Sequence, residues 1–165
     1  MTKSSSTSRV VDLQDMIIAL AADHAGYALK EEMKRFLQAL GYRVKDFGAY
    51  SKKPSDYPDF VLKATRAVAR SNGKMRGIVF GGSGIGEAIA ANKVKGIRAA
   101  MVFNEYMARV TREHNDSNVL SLGSRILTPT IAKELVLIWL ETPFSGSEKH
   151  ARRIRKLAKF ETRNR

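Results

Sequence analysis

Seven consecutive residues, Gly81-Gly82-Ser83-Gly84-Ile85-Gly86-Glu87, hold most of the chemistry this chain can offer. Four glycines let main-chain amides approach a ligand with no side chain between, and a helix opening among them adds a field that favours negative charge. Such a loop is a cradle for an anion, or for an oxyanion that develops during a reaction. Glu87 follows at once. In the first turn of a helix a carboxylate is favourable simply as a partner of the helix dipole. Held over the cradle with one face open, it could instead take a proton from carbon beside a carbonyl. Two familiar phosphate motifs fail on spacing. G-x-G-x-x-G begun at Gly82 or Gly84 meets Glu87 or Ile89 where its last glycine belongs, and no G-K-[ST] follows as in a Walker loop. A tight strand-to-helix connection with no ligand is the plain alternative.

The other polar candidates also fall in chain breaks. Asp23-His24 and His114-Asn115 sit between apolar segments, where function tends to collect. The three histidines lack the spacing of a metal triad, and His150 reads as a surface residue. Arg125, Lys149, Arg152 and Arg153 could converge on a dianionic phosphate; scattered in solvent they would recognise nothing.

Positioning these residues falls to strands alternating with helices. MIIALA from Met16 is a short buried run, followed by the loop DHAGY and a helical pattern over 28–40 that Gly41 stops. Strands are expected at Arg43–Phe47, Arg76–Phe80, Arg98–Val102 and Val119–Leu122. Helices are expected at Phe60–Arg70, after the glycine loop, at Glu105–Glu113, from the Thr128 cap with Pro129 to Leu140, and at about Glu148–Arg163. Strict alternation of this kind calls for a parallel sheet with helices on both faces, and its ligands collect at the carboxyl ends of the strands. Residues 1–15, rich in Ser and Thr and without an apolar run of signal-peptide length, are expected to form a flexible tail before a single domain over 16–163.

Composition sets the outer limits. A chain of 165 residues is sized for one core. No apolar run approaches a membrane span, so no membrane partner is expected. Without a cysteine, any chemistry uses oxygen and nitrogen groups. The net charge of +13 first suggests nucleic acid, but +6 of it lies in Glu148–Arg165 while residues 1–15 contribute nothing net. A nucleic-acid-binding module would account for the charge and leave the glycine cradle with Glu87 unexplained, so no nucleic-acid partner is expected. A non-catalytic phosphate-binding protein is a further reading that the fold class allows.

Taken together, DHAGYALK, DYPDF, GGSGIGEAIAANKVKGIRAA, REHNDSNVLSLGSR and KHARRI resemble the ribose-5-phosphate isomerase B family, which includes the galactose-6-phosphate isomerase subunits; the likeness runs from about Met16 to Glu161. The resemblance implies a Rossmann-like three-layer αβα sandwich with a five-stranded parallel sheet. It implies a cytoplasmic homodimer, or a tetramer built from it, whose sites draw on both subunits. It also implies a cofactor-free and metal-free aldose–ketose isomerase of the pentose phosphate pathway, acting on ribose 5-phosphate and ribulose 5-phosphate. Galactose 6-phosphate or allose 6-phosphate is the alternative substrate.

Carried onto this chain, the family's catalytic set would be Glu87, Ser83, His114 and Asp23. Asp23 and His24 would contact the sugar and its phosphate, and Gly82, Gly84 and Gly86 with Ser83 would hold the developing enediolate. His114 and Asn115 would come from the partner subunit, His114 assisting ring opening, while Arg125, Lys149 and Arg153 would hold the phosphate. Many members place a cysteine base just before the glycine motif. Here that position is Gly81, and the chain resembles the branch with glutamate directly after the loop. Lys149 stands where arginine is frequent, which keeps the charge and gives up the fork geometry.

Overall fold

The computed structural model describes residues 16–163, so the expected tail over 1–15 lies outside the described residues. Five strands form one sheet: β1 (Ile17–Ala22), β2 (Arg43–Asp46), β3 (Met75–Gly81), β4 (Ala99–Met101) and β5 (Val119–Gly123). Their order is β2-β1-β3-β5-β4 and every pairing is parallel. The helices are α1 (Tyr27–Ala39), α2 (Tyr57–Arg70), α3 (Ile85–Ala91), α4 (Glu105–Asn115), α5 (Pro129–Glu141) and α6 (Glu148–Arg163). This is the three-layer α/β arrangement expected from the alternation. Among the described residues, no helix is long and apolar enough to cross a membrane.

The near-continuous apolar strands follow from burial on both faces. In β1, Ile18, Leu20 and Ala22 point into one core, together with Leu29 and Met33 of α1 and Leu135 and Trp139 of α5. The alternate residues Ala19 and Ala21 enter the other core, against Val61 and Ala64 of α2 and Ala90 of α3. The register lays Leu20, Ile78, Leu120 and Ala100 side by side across four strands, so one row of side chains ties the sheet together. Trp139, fully buried, donates its Nε1–H to Ser117 Oγ at 2.8 Å, so its one polar group is satisfied inside the core.

Local signals fix the element ends. The side chains of Asn104 and Thr128 cap α4 and α5, accepting from the amides of Met107 and Ile131. α2 begins at Tyr57, three residues before the expected Phe60. Pro58 fits the first turn, where no amide is needed, and Tyr57, in step with Val61, Ala64 and Val68, packs on the second core and borders the cavity described below.

The chain leaves β1 toward β2, then crosses back over β1 to β3. The loops after β1 and β3 therefore diverge from neighbouring strands, and a crevice opens between them.

Candidate active site

Three loops meet at that crevice. Asp23 and His24 follow β1, residues 82–84 follow β3, and Arg125 follows β5. Main-chain bonds knit the last two loops together: Ser124 N–H donates to Gly81 O at 2.8 Å and Arg125 N–H to Gly82 O at 2.9 Å. Ser124 Oγ reaches the first loop, donating to Ala25 O at 2.9 Å. The positions of the polar side chains are thus set by the ends of the sheet.

Gly84 adopts φ 82°, a left-handed conformation that costs glycine little, and it turns the chain from β3 into α3. Its carbonyl accepts from the buried Ser121 Oγ at 2.6 Å. Gly84 shapes the loop from beneath and is not part of the cavity lining. Ser83 Oγ accepts from Ile85 N–H at 3.2 Å, which leaves the hydroxyl proton free to donate.

Glu87 is only 3% exposed, although it lies in the first turn of a short helix. Its carboxyl group folds back over Gly81: a side chain at position 81 would collide with the Glu87 carboxyl oxygens and Cδ. The space a side chain at 81 would fill is therefore occupied by the carboxylate of Glu87. Burial pushes this carboxyl above its ordinary pKa; its own main-chain amide opposes the rise, and the charge of Asp23 adds to it.

Asp23, nearly buried, accepts Gly26 N–H through Oδ1 at 2.9 Å. His24 Nδ1 lies 3.1 Å from Ser55 O and 3.2 Å from Ser55 N, so that nitrogen is engaged whichever tautomer is present and Nε2 is left for a ligand. A cavity of about 430 Å³ results, lined by Asp23, His24, Gly82, Ser83, Gly86, Glu87 and Arg125. The guanidinium of Arg125 lies over Gly82, with Nη1 3.3 Å from where a Cβ would be. Tyr57 closes the opposite side against Gly86, its Cζ 2.9 Å from that glycine's Cβ position. Sequence reasoning did not assign Tyr57, nor Ala25 and Ile126 of the lining; an aromatic beside Pro58 in a turn-rich loop was the available signal for Tyr57.

The remaining expected site residues gather elsewhere in the same chain. His114 and Asn115 end α4, while Lys149 and Arg153 lie on the first turns of α6. His150, read from sequence as a surface residue, stacks on His114 with ring centroids 4.2 Å apart and planes 12° from parallel. Desolvation, and after it the His114, Arg153 and Lys149 side chains, hold the His150 pKa below its ordinary value. None of these residues lines the Glu87 cavity; Asn115 and Arg153 line a separate one, between α6 and β4. One chain thus groups a buried carboxyl with the glycine loop and Arg125 and, apart from them, two stacked imidazoles with cations of α6. Among the described residues no three His, Cys, Asp or Glu side chains cluster as metal ligands would.

A family model described as Ribose/Galactose Isomerase matches residues 18–157. Ribose-5-phosphate isomerase B of Mycobacterium leprae is 41% identical over 150 residues, covering 90% of this chain and 92% of that protein. The Escherichia coli protein of the same name is 39% identical over 147 residues, covering 88% and 97%. The Clostridium thermocellum ribose-5-phosphate isomerase B structure superposes with a TM-score of 0.87 at 47% identity, covering 91% of this chain and all of that one. The Mycoplasma genitalium enzyme, solved with bound ribulose-5-phosphate, gives 0.85 at 37% identity, covering 89% and 97%. With likeness of this extent in sequence and in the whole sandwich, the chain belongs to the ribose/galactose isomerase family.

Proposed function

We propose that this chain interconverts D-ribose 5-phosphate and D-ribulose 5-phosphate through a cis-enediolate, with Glu87 as the base that moves the proton. The observation carrying the proposal is the buried Glu87 carboxyl at the floor of a cavity rimmed by the glycine loop and Arg125. In the open-chain aldose, Glu87 would remove the proton from C2 as electrons move to the C1 carbonyl oxygen. The Ser83 hydroxyl and loop amides would stabilise that oxyanion, an effect worth roughly 3 kcal/mol per well-aimed donor. A proton passes from the C2 hydroxyl to O1, C2 becomes the carbonyl, and the protonated Glu87 returns its proton to C1. Every step is proton transfer, so the reaction needs no redox cofactor. Raising the carboxyl's pKa makes it a stronger base once ionised. The reading places the chain in the pentose phosphate pathway.

The two separate groups of residues support a homodimer in which His114 and Asn115 of one subunit, with Lys149 and Arg153, complete the Glu87 cavity of the other. His114 would then assist furanose opening, and Arg125 would share the phosphate with the partner cations. The family description spans ribose and galactose isomerases, so six-carbon phosphates are the competing substrates. A coupled assay of kcat/KM on ribose 5-phosphate, allose 6-phosphate and galactose 6-phosphate decides between them. Ribose 5-phosphate is expected to lead by about tenfold or more, the discrimination one carbon can supply; a six-carbon substrate in the lead would transfer the proposal to it.

A further inference from the structure

The sheet has a second cationic opening, at the end away from Glu87. Arg76 at the start of β3, Arg98 just before β4 and Arg112 of α4 line a cavity of about 410 Å³ with Asp116 and Asn118. We propose that this cavity is a second anion site, which takes a small oxyanion, inorganic phosphate or a phosphomonoester, on the three guanidinium groups. Nothing in the isomerase reading requires it, and the inference does not rest on that reading.

The charge balance carries the argument. Asp116 is the one carboxylate in the lining, and it is shared: Oδ1 lies 2.8 Å from Arg112 Nη1 and Oδ2 3.1 Å from Arg98 Nη2. Among the described residues Arg76 has no carboxylate within ion-pair distance. Arg112 is only 5% exposed, so its charge is poorly screened. Burial first, and then the facing Arg112 charge, pull the Arg76 pKa down to about 10, against the opposing pull of Asp116.

Capping of helix ends explains only part of this cluster. Arg76 Nη1 donates to Leu140 O at 2.8 Å, Arg112 Nε to Thr142 O at 3.3 Å, and Arg98 Nε and Nη2 to the main chain at 115 and 116. Arg112 Nη1 donates as well to Ser117 O, so each guanidinium is tied to the main chain and has one terminal nitrogen left over. Nη2 of Arg76, Nη1 of Arg98 and Nη2 of Arg112 have no protein acceptor among the described residues. A tetrahedral oxyanion offers several acceptors and two charges to such a set, through charge-assisted bonds that forked donors favour.

The test is titration calorimetry of the full-length protein with inorganic phosphate, at constant ionic strength against chloride. Wild type should show two classes of site per chain. Arg125→Gln, which weakens the substrate site, should keep the second class. Arg98→Gln should weaken that class about tenfold or more, the effect of losing one charged donor group. Gly73→Asp provides a control that keeps every arginine. Gly73 borders the cavity, a Cβ there meets nothing within 4 Å, and its φ of 82° is one that aspartate tolerates better than most residues. Its carboxylate should compete with phosphate and likewise weaken the second class. Phosphate binding that vanishes in Arg125→Gln, or that is unchanged in both Arg98→Gln and Gly73→Asp, overturns the proposal.

Discussion

Positions 81 and 87 compete for one volume. Because the Glu87 carboxyl fills the place of a side chain at 81, a chain with glutamate here needs glycine there. Gly81→Ala should displace the carboxyl and cut kcat by about 100-fold, as misplacement of a reacting group by an ångström can do. Thermal unfolding would confirm that the variant folds. Burial also sets a pH profile. A base works deprotonated, so kcat should fall as pH drops through the raised pKa of Glu87, with the acid limb above the ordinary carboxylate value. Asp23→Asn removes a charge that contributes to the rise and should move that limb to lower pH. A limb that stays in place would remove Asp23 from the electrostatics. The same burial costs stability. With the folded pKa above the unfolded one, the folded state carries an unfavourable buried charge at pH above that value. Glu87→Gln should therefore raise Tm near neutral pH, by about 2–4 °C for each kcal/mol regained, with the gain shrinking as pH falls through the raised pKa. The identities of Glu87 and its loop were legible in sequence because four closely spaced glycines exceed what a turn needs. That Glu87 folds back over Gly81 was not, since it depends on where the strand ends.

At the level of elements, the strand–helix alternation was readable because each buried strand is a short apolar run between polar breaks. Tyr57 shows what periodicity leaves out: its spacing with Val61, Ala64 and Val68 places it on the buried stripe of α2, and only the fold shows that it also borders the cavity. The buried Lys30 shows it again. Its spacing with Met33 and Leu37 puts it on the buried stripe of α1, but its charge gives no hint that the side chain is fully covered, with Nζ 2.6 Å from Asp46 Oδ1 and 2.8 Å from Glu31 Oε1. Asp46 also accepts from Lys34 and from Gly48 N–H at 2.9 Å, and Gly48 O accepts the amide of Ala22, next to Asp23. The ion cluster at the end of β2 therefore braces the loop that supports Asp23. Asp46→Ala would leave the Lys30 charge buried with a single partner and should cost about 3 kcal/mol in denaturant unfolding. A loss below a few tenths would show that Glu31 alone satisfies Lys30.

On the scale of the whole molecule, the proposed homodimer would join two groups of residues that lie apart in one chain. His114 and Asn115 stand out in sequence by their chain break, and Lys149 and Arg153 by the basic tail; only their roles come from the resemblance, and one chain keeps them away from the Glu87 cavity. If subunits share sites, mixing inactive Glu87→Gln with inactive His114→Ala protein under exchange conditions should restore about a quarter of wild-type activity, because half the dimers are hybrids with one intact site each. No recovery, with hybrids verified, would place each site within one chain. In the proposed reaction the Glu87 carboxyl carries the proton between neighbouring carbons of the sugar. The most direct test is ribose 5-phosphate in heavy water, followed by NMR, with wild type and Glu87→Gln. Wild type should place deuterium on the transferred carbon position, while Glu87→Gln should still bind substrate but incorporate deuterium about 10²–10⁴-fold more slowly. Incorporation by Glu87→Gln at the wild-type rate would contradict the account.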